Sequence, residues 1–109
     1  HGMKNLVEGY LEEGKKVVVV EDLISTGGSS LKAVAALREE KQANVLGMVA
    51  IFTYQFPLAQ EQFAAANVEL TTLSNYNALV EAAAEINYID ESVVPTLQEW
   101  RKDPANWQK

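Results

Sequence analysis

The sequence predicts an α/β domain whose mainly parallel sheet is flanked by helices. Two apolar runs, 17–20 and 45–52, lack the polar alternation of a strand that faces water, and this is typical of parallel strands buried on both faces. A helical pattern follows each run, and a third strand with more alternation is expected at 68–73, nearer the sheet edge. This order, with right-handed crossovers, predicts helices on both faces of the sheet.

The first half of the chain contains local signals for each element in turn. An extended arm at 5–9 leads through a turn at 13–14 into the first strand. A loop is expected at 21–29, followed by a helix at about 30–40 that is rich in Ala and Leu. Pro57 starts a second, short helix, because proline suits the first helical turn.

The second half predicts two more helices. Apolar residues at i, i+3, i+4 and i+7 indicate the buried stripe of the first of them: Leu79, Ala82, Ala83 and Ile86. A last helix carries Val93, Leu97 and Trp100, with Pro95 near its start. No linker or repeat divides the chain, so residues 1–109 are expected to form a single domain.

Composition excludes several classes of function. Lys and Arg total 9 against 15 Asp and Glu, and a net charge of -6 offers no broad basic surface for nucleic acid. The absence of cysteine excludes disulfides, thiolate zinc sites and a cysteine nucleophile. No apolar stretch approaches the roughly 18 residues of a membrane span, so we expect no membrane partner and a cytoplasmic location.

The segment Glu21–Ser29, with the sequence EDLISTGGS, carries the chemistry. It follows a buried strand and precedes a helix, which is the edge of an α/β sheet where ligands bind. Its glycines allow close approach of backbone N–H groups to an anion, and the helix N-terminus adds its dipole. The segment lacks the Gly-Lys-Ser/Thr of a Walker loop and the G-x-G-x-x-G of a dinucleotide fingerprint. It therefore predicts a different kind of phosphate site.

The two acids before this loop narrow the ligand class. Glu21 and Asp22 would repel a phosphate pressed against them, whereas they suit the hydroxyls of a sugar or a Mg²⁺ ion. A phosphate loop beside hydroxyl acceptors describes a site for a ribose 5-phosphate. The alternative is a strand end with solvated acids, followed by a helix capped by Ser or Thr.

The residues 17–29 resemble the phosphoribosyl pyrophosphate signature of type I phosphoribosyltransferases, and the form EDLISTGGS is most similar to the orotate phosphoribosyltransferases. Further similar segments are 1–9, 49–54, 73–76 and 103–107. The resemblance implies a partial, Rossmann-like type I phosphoribosyltransferase fold. Family members are about twice as long, so the chain is expected to be a C-terminal half, with 1–14 ending the mobile catalytic loop and arm and 15–109 forming the phosphoribosyl-pyrophosphate-binding core.

The same resemblance implies transfer of ribose 5-phosphate to orotate in de novo UMP biosynthesis, giving orotidine 5′-phosphate and pyrophosphate, with Mg²⁺ and in a homodimer. Catalytic roles are expected for Asp22, Glu21 and His1. Phosphoribosyl pyrophosphate would contact Glu21, Asp22, Leu23, Ile24, Ser25, Thr26, Gly27, Gly28, Ser29 and His1. Orotate would contact Ser25 and Tyr54, and no metal ligands are assigned. The half chain alone is expected to be inactive. A purine-type phosphoribosyltransferase and a non-catalytic sensor of phosphoribosyl pyrophosphate are the alternatives.

Overall fold

The computed structural model describes residues 7–107. Three strands alternate with helices, which confirms the predicted α/β class. The strands are β1 (Lys16–Ile24), β2 (Asn44–Thr53) and β3 (Leu70–Asn75). The helices are α1 (Gly28–Glu40), α2 (Pro57–Ala65), α3 (Tyr76–Glu85) and α4 (Val94–Lys102), with short 3₁₀ helices at Glu91–Val93 and Pro104–Asn106.

The sheet has the order β1-β2-β3, and both pairs of neighbouring strands are parallel. Ile24 pairs with Thr53, which in turn pairs with Asn75. The carboxyl ends of all three strands therefore lie in one row. This row is the edge of the sheet at which the sequence predicts a ligand site.

Some predicted boundaries are wrong by a few residues. Strand β1 continues through Ile24, because Glu21 and Leu23 still pair with Ala50 and Phe52 of β2. The predicted loop at 21–29 is consequently much shorter, and α1 begins at Gly28 rather than near residue 30. Strand β3 starts two residues later than expected.

The N-terminal prediction is tested only in part. The turn at 13–14 is confirmed, with Gly14 at a φ of +80° and its N–H donating to the carbonyl of Gln42 at 3.0 Å. Residues 7–9 form no strand, and the rest of the predicted arm lies outside the described residues.

The core lies on one face of the sheet. Met48 and Ala50 of β2 pack there with Val34 of α1 and with Ala59 and Phe63 of α2, and all five side chains are buried. Burial of these side chains removes apolar surface from water, which is the main source of stability of such a unit.

The opposite face of the sheet is open. Val18 and Val20 of β1, Val49 and Ile51 of β2, and Leu73 of β3 are exposed, and Leu73 reaches 84% exposure. The prediction of strands buried on both faces is therefore wrong for the described residues. The chain exposes 7627 Å², whereas ~6,000 Å² is expected for a folded protein of this mass.

Helices α3 and α4 pack at the carboxyl ends of β2 and β3. The buried residues of α3 are Tyr76 and Val80, while Leu79 and Ile86 are exposed, so the predicted stripe is wrong. The helix starts directly after β3 with Asn75 as its cap, whose Oδ1 accepts from the N–H of Ala78 at 2.9 Å. This start turns Tyr76 inward. Among residues 7–107 no helix is long and apolar enough to cross a bilayer.

Candidate functional site

The segment Glu21–Ser29 is called the β1–α1 junction here. Its first residues complete β1, and its last residues begin α1. Asp22 is exposed at the end of the strand, and its Oδ1 accepts a hydrogen bond from the N–H of Leu23 at 2.7 Å. This contact fixes the carboxylate close to the backbone and leaves its other oxygen open to solvent.

The two acids of the junction are not equivalent. Because both lie within a strand, their side chains point to opposite faces of the sheet. Exposure agrees with this alternation, since Glu21 is half-buried and Asp22 is exposed. Of the two acids, Asp22 is therefore the one that is presented to solvent at this edge.

The start of α1 provides free backbone donors. Gly27 precedes the helix with a φ of +91°, and no side chain among the described residues caps the terminus. The first intrahelical bond runs from the N–H of Leu31 to the carbonyl of Gly27 at 2.9 Å, so the N–H groups of the first turn before it have no helical partner. The alternative of a helix capped by Ser or Thr is therefore not what the structure shows.

The two glycines have different local roles. A Cβ on Gly27 would lie 2.6 Å from Cε1 of the buried Phe63, so this position needs glycine for both its backbone angle and its packing. A Cβ on Gly28 would meet only Oγ1 of Thr26, at 3.8 Å. The space beside Gly28 is open, and Ser25, Thr26 and Ser29 around it are exposed.

Next to this junction lies a second group of residues, called the β2 end here: Thr53, Tyr54, Gln55, Phe56, Tyr76, Trp100 and Arg101. The N–H of Tyr54 donates to the carbonyl of Ile24 at 3.1 Å, which extends the pairing of β1 and β2 by one residue. Ser25 and Tyr54 are thereby brought side by side. They are the two residues predicted for the base.

Aromatic side chains fill the β2 end. The Tyr54 ring stacks on Phe56, with ring centroids 5.1 Å apart and planes 11° apart. Trp100 of α4 meets both rings edge-on, at 6.2 Å from Tyr54 and 5.5 Å from Phe56. Tyr76 completes the group at 5.6 Å from Trp100. These contacts make Trp100 part of the surroundings of Tyr54, a place that the sequence pattern did not assign to it.

Two of the cavities that border these groups bear on the predicted ligand. One of about 390 Å³ is lined by Tyr54, Tyr76, Trp100 and Trp107, together with residues of α4. Another of about 280 Å³ lies beside Thr26 of the junction and Phe56, and Lys102 also lines it. The larger one has the aromatic walls that suit a planar ring, and the other adjoins the predicted phosphate site.

Electrostatics at the β2 end centre on Tyr76 and Arg101. Burial raises the pKa of Tyr76 above its ordinary value of 10.0, the nearby Tyr54 raises it further, and the positive charge of Arg101 opposes the shift. Nη1 of Arg101 donates to the carbonyl of Gln55 at 2.5 Å. Sequence reasoning missed this arginine because it lies 46 residues from its partner, and no local pattern marks it.

The remaining predicted site residue is His1, which lies outside the described residues. Within residues 7–107 no group of three or more His, Cys, Asp or Glu side chains is placed to hold a metal ion. The carboxylate oxygens of Asp22 and Glu21 are of the hard type that Mg²⁺ prefers, but the two side chains point to opposite faces of the sheet and do not form a paired site.

Taken together, the edge offers an exposed carboxylate, free backbone N–H groups over an open space, and an aromatic wall. The carboxylate accepts hydrogen bonds from hydroxyls, and the N–H groups bind an anion. A ligand with a phosphate, a sugar and a planar ring matches this set.

Comparison with curated proteins gives the family. No family model matches the chain, but individual proteins do. An orotate phosphoribosyltransferase of Phocaeicola vulgatus is 58% identical over 108 residues, which are 99% of this chain and 50% of that protein. The chain thus spans about half the length of the curated relatives it matches.

Solved structures show the same fold. The structure of Leishmania donovani UMP synthase matches 91% of this chain and 22% of its own, with a TM-score of 0.74 at 20% identity. Orotate phosphoribosyltransferase from Aeropyrum pernix matches 75% of this chain and 48% of its own, with a TM-score of 0.65 at 27% identity. The predicted resemblance is confirmed: the chain is homologous over its length to one half of an orotate phosphoribosyltransferase and has part of the phosphoribosyltransferase fold.

Proposed function

From this homology to one half of an orotate phosphoribosyltransferase, we propose that the chain is the ribose-phosphate-binding part of an enzyme that transfers ribose 5-phosphate from phosphoribosyl pyrophosphate to orotate. The products are orotidine 5′-phosphate and pyrophosphate, in de novo UMP biosynthesis. The observation that carries the proposal is the uncapped start of α1, with open space beside Gly28 and the exposed Asp22 one short loop away.

In this proposal the 5-phosphate binds over the first turn of α1. The backbone from Leu23 to Ser29 and the hydroxyls of Ser25, Thr26 and Ser29 supply the hydrogen bonds, and the helix dipole favours the negative charge. Gly27 fixes the path of the loop, while Gly28 leaves the space that the phosphate needs. Each charge-assisted hydrogen bond of this kind contributes roughly 1.5–3 kcal/mol.

The ribose lies toward Asp22, whose free carboxylate oxygen accepts from its hydroxyls. The half-buried Glu21 contributes its negative charge from the other face of the strand end. As pyrophosphate leaves, positive charge develops on the ribose, and these carboxylates stabilise it electrostatically. When bound, Mg²⁺ would neutralise the charge of the leaving pyrophosphate. Asp22 or Glu21 would supply a protein oxygen for it, but not both, because their side chains point to opposite faces of the sheet.

The base lies beside Ser25 and Tyr54, which the structure places next to each other. The ring of Tyr54 gives a flat apolar surface, and stacked aromatic pairs favour planar partners. His1 is proposed to cover the pyrophosphate from a neighbouring subunit of a homodimer, and the full-length enzyme is placed in the cytoplasm. The resemblance of residues 1–9 to the corresponding segment of the family supports the role of His1.

Binding by the 109 residues themselves is the first test. Calorimetric titration with phosphoribosyl pyrophosphate and Mg²⁺ is expected to show weak binding, and the same chain is expected to give no orotate turnover. Gly28→Val is the matched variant, because it fills the open space beside the helix start. Equal binding by both chains would mean that the junction is not the phosphate site.

Turnover requires a full-length protein. The 109 residues joined to the other half of the Phocaeicola vulgatus relative are expected to consume orotate, followed by its absorbance. Adenine and hypoxanthine added as competing bases separate the orotate reaction from a purine-type reaction. A chimera that binds phosphoribosyl pyrophosphate but converts no base would instead support a sensor.

A further inference from the structure

Gln55 has a left-handed backbone conformation, with a φ of +62°, which residues other than glycine rarely adopt. Its N–H donates to Oγ1 of Thr53 at 3.1 Å, and its side-chain Oε1 accepts from the N–H of Asn77 at 3.0 Å. Gln55 thus joins the end of β2 to the first turn of α3. A conformation of this kind persists only where the surroundings hold it.

Arg101 of α4 provides the third restraint on Gln55. Its Nη1 donates to the Gln55 carbonyl at 2.5 Å, a charge-assisted hydrogen bond. Nε of Arg101 is buried and has no hydrogen-bond partner among the described residues. A buried N–H without a partner is unfavourable, so the guanidinium is not placed here for the best stability of the fold alone.

Trp100, which precedes Arg101 in the sequence, contacts Tyr54, the residue before Gln55. It meets the rings of Tyr54 and Phe56 edge-on. Two consecutive residues of α4 therefore restrain the backbone and the ring of the Tyr54–Gln55 pair. The N–H of Tyr54 is held from the other side by the carbonyl of Ile24, directly before Ser25.

We propose that Arg101 is a positioning residue that holds Gln55 in its left-handed conformation, so that Tyr54 presents its ring to the base beside Ser25. This inference rests on the proposed function. The planar guanidinium suits the task because its donors have fixed directions, whereas a lysine ammonium is a flexible point charge. Arg101 contacts neither the phosphate nor the ribose in this arrangement, so its loss affects the base and spares phosphoribosyl pyrophosphate.

The test is steady-state kinetics of the full-length chimera with Arg101→Gln and Arg101→Lys. We expect Arg101→Gln to raise KM for orotate about tenfold and to change KM for phosphoribosyl pyrophosphate less than about twofold. Arg101→Lys is expected to restore part of the loss. The ratio of the two KM values does not depend on the fraction of folded enzyme, and Arg101→Lys decides the outcome if Arg101→Gln does not fold.

Arg38, the chain's other arginine, is the matched control. Its Nη1 donates to the carbonyl of Ala66 at 2.7 Å and joins α1 to the end of α2, away from the base. Arg38→Gln is expected to lower the melting temperature without changing the ratio of KM values. A ratio unchanged in both Arg101 variants, or changed equally by Arg38→Gln, would overturn the inference. An unmodified chimera that binds phosphoribosyl pyrophosphate yet does not use orotate would overturn the proposed function itself.

Discussion

The β1–α1 junction and the β2 end lie side by side at one edge of the sheet, but they are built in different ways. The junction is one continuous segment of nine residues, 21–29, and most of its side chains are exposed. The β2 end draws residues from β2, α3 and α4, and hydrogen bonds that span 21 to 46 residues connect them. One is a local structure, and the other exists only when the whole chain has folded.

Because the two regions are built differently, replacements in them are expected to have different effects on ligand binding and on stability. Asp22, Ser25 and Thr26 of the junction carry little of the core, so their replacement is expected to change affinity and leave the fold intact. At the β2 end, Tyr76 is buried and Trp100 is half-buried against its neighbours. Replacement there is expected to change stability and base binding together.

The largest effect is expected from Asp22→Asn in the full-length chimera. The change keeps the shape but turns an acceptor oxygen into an amide donor, so the hydroxyls of the ribose lose a partner. We expect kcat/KM to fall by the equivalent of about 2–4 kcal/mol, with the melting temperature nearly unchanged.

Asp90→Asn is the control for this variant. Asp90 is also exposed and also accepts a hydrogen bond from a nearby backbone N–H, that of Ser92 at 2.9 Å, but it lies before α4. Its replacement is expected to leave kcat/KM within about twofold. Less than a threefold loss for Asp22→Asn would contradict the assignment of the ribose to this carboxylate.

Within the junction, replacement of Gly27 is expected to affect the stability of the fold, and replacement of Gly28 is expected to affect phosphate binding. Gly27→Ala forces a side chain into the left-handed region and against Phe63, and is expected to cost about 2–4 kcal/mol of unfolding free energy. Gly28→Val meets no such obstacle and is expected to change stability by less than about 1 kcal/mol. Its Cβ and methyl groups, however, occupy the space of the phosphate.

Urea unfolding and titration with ribose 5-phosphate measure the two effects separately. Gly27→Ala is expected to shift the unfolding midpoint, and Gly28→Val to weaken binding at least about tenfold, or about 1.4 kcal/mol. Equal destabilisation by both variants would show that the open space beside Gly28 is structural and not a ligand space.

The same contrast explains how far the sequence could be interpreted. The junction was predictable because strand end, acids, glycines and helix start follow one another, and local signals suffice for each. Its detail was not: β1 continues through Glu21 and Asp22, because pairing with β2 decides where a strand ends. The left-handed Gln55 and its contact with Arg101 depend on tertiary packing across 46 residues. No periodicity indicates such a contact.

Apolar patterns were informative about elements and misleading about faces. The runs of β1 and β2 correctly predicted strands, but Val20 and Ile51 lie on the open face of the sheet. In α3, alanine-rich spacing allowed more than one buried stripe, and the capped start at Asn75 selected the one containing Tyr76 and Val80. The periodicity of such a sequence predicts a helix, whereas the position of its first turn decides which side of the helix is buried.

The smallest effect, and the one specific to the β2 end, is expected from Tyr76→Phe. The Tyr76 hydroxyl donates to the carbonyl of Leu97 at 3.1 Å and so joins α3 to α4. Its loss is expected to lower the unfolding free energy by about 0.5–1.5 kcal/mol at pH 7. Burial raises the folded-state pKa of Tyr76 above its ordinary value of 10.0, because the folded chain favours the protonated form of this hydroxyl.

The sign of the pH dependence follows from this shift. Below pH 10 the hydroxyl is protonated in both states and its contribution is complete. Above pH 10 the unfolded chain releases the proton first, so the wild type loses stability as pH rises. The phenylalanine variant lacks this group, and the difference in unfolding free energy between it and the wild type is expected to shrink as the pH rises above 10. Asp22→Asn, at the junction, is expected to run parallel to the wild type over the same range. A constant difference between wild type and Tyr76→Phe would mean that the hydroxyl is hydrated in the folded chain, and the β2 end would then be as open to solvent as the junction beside it.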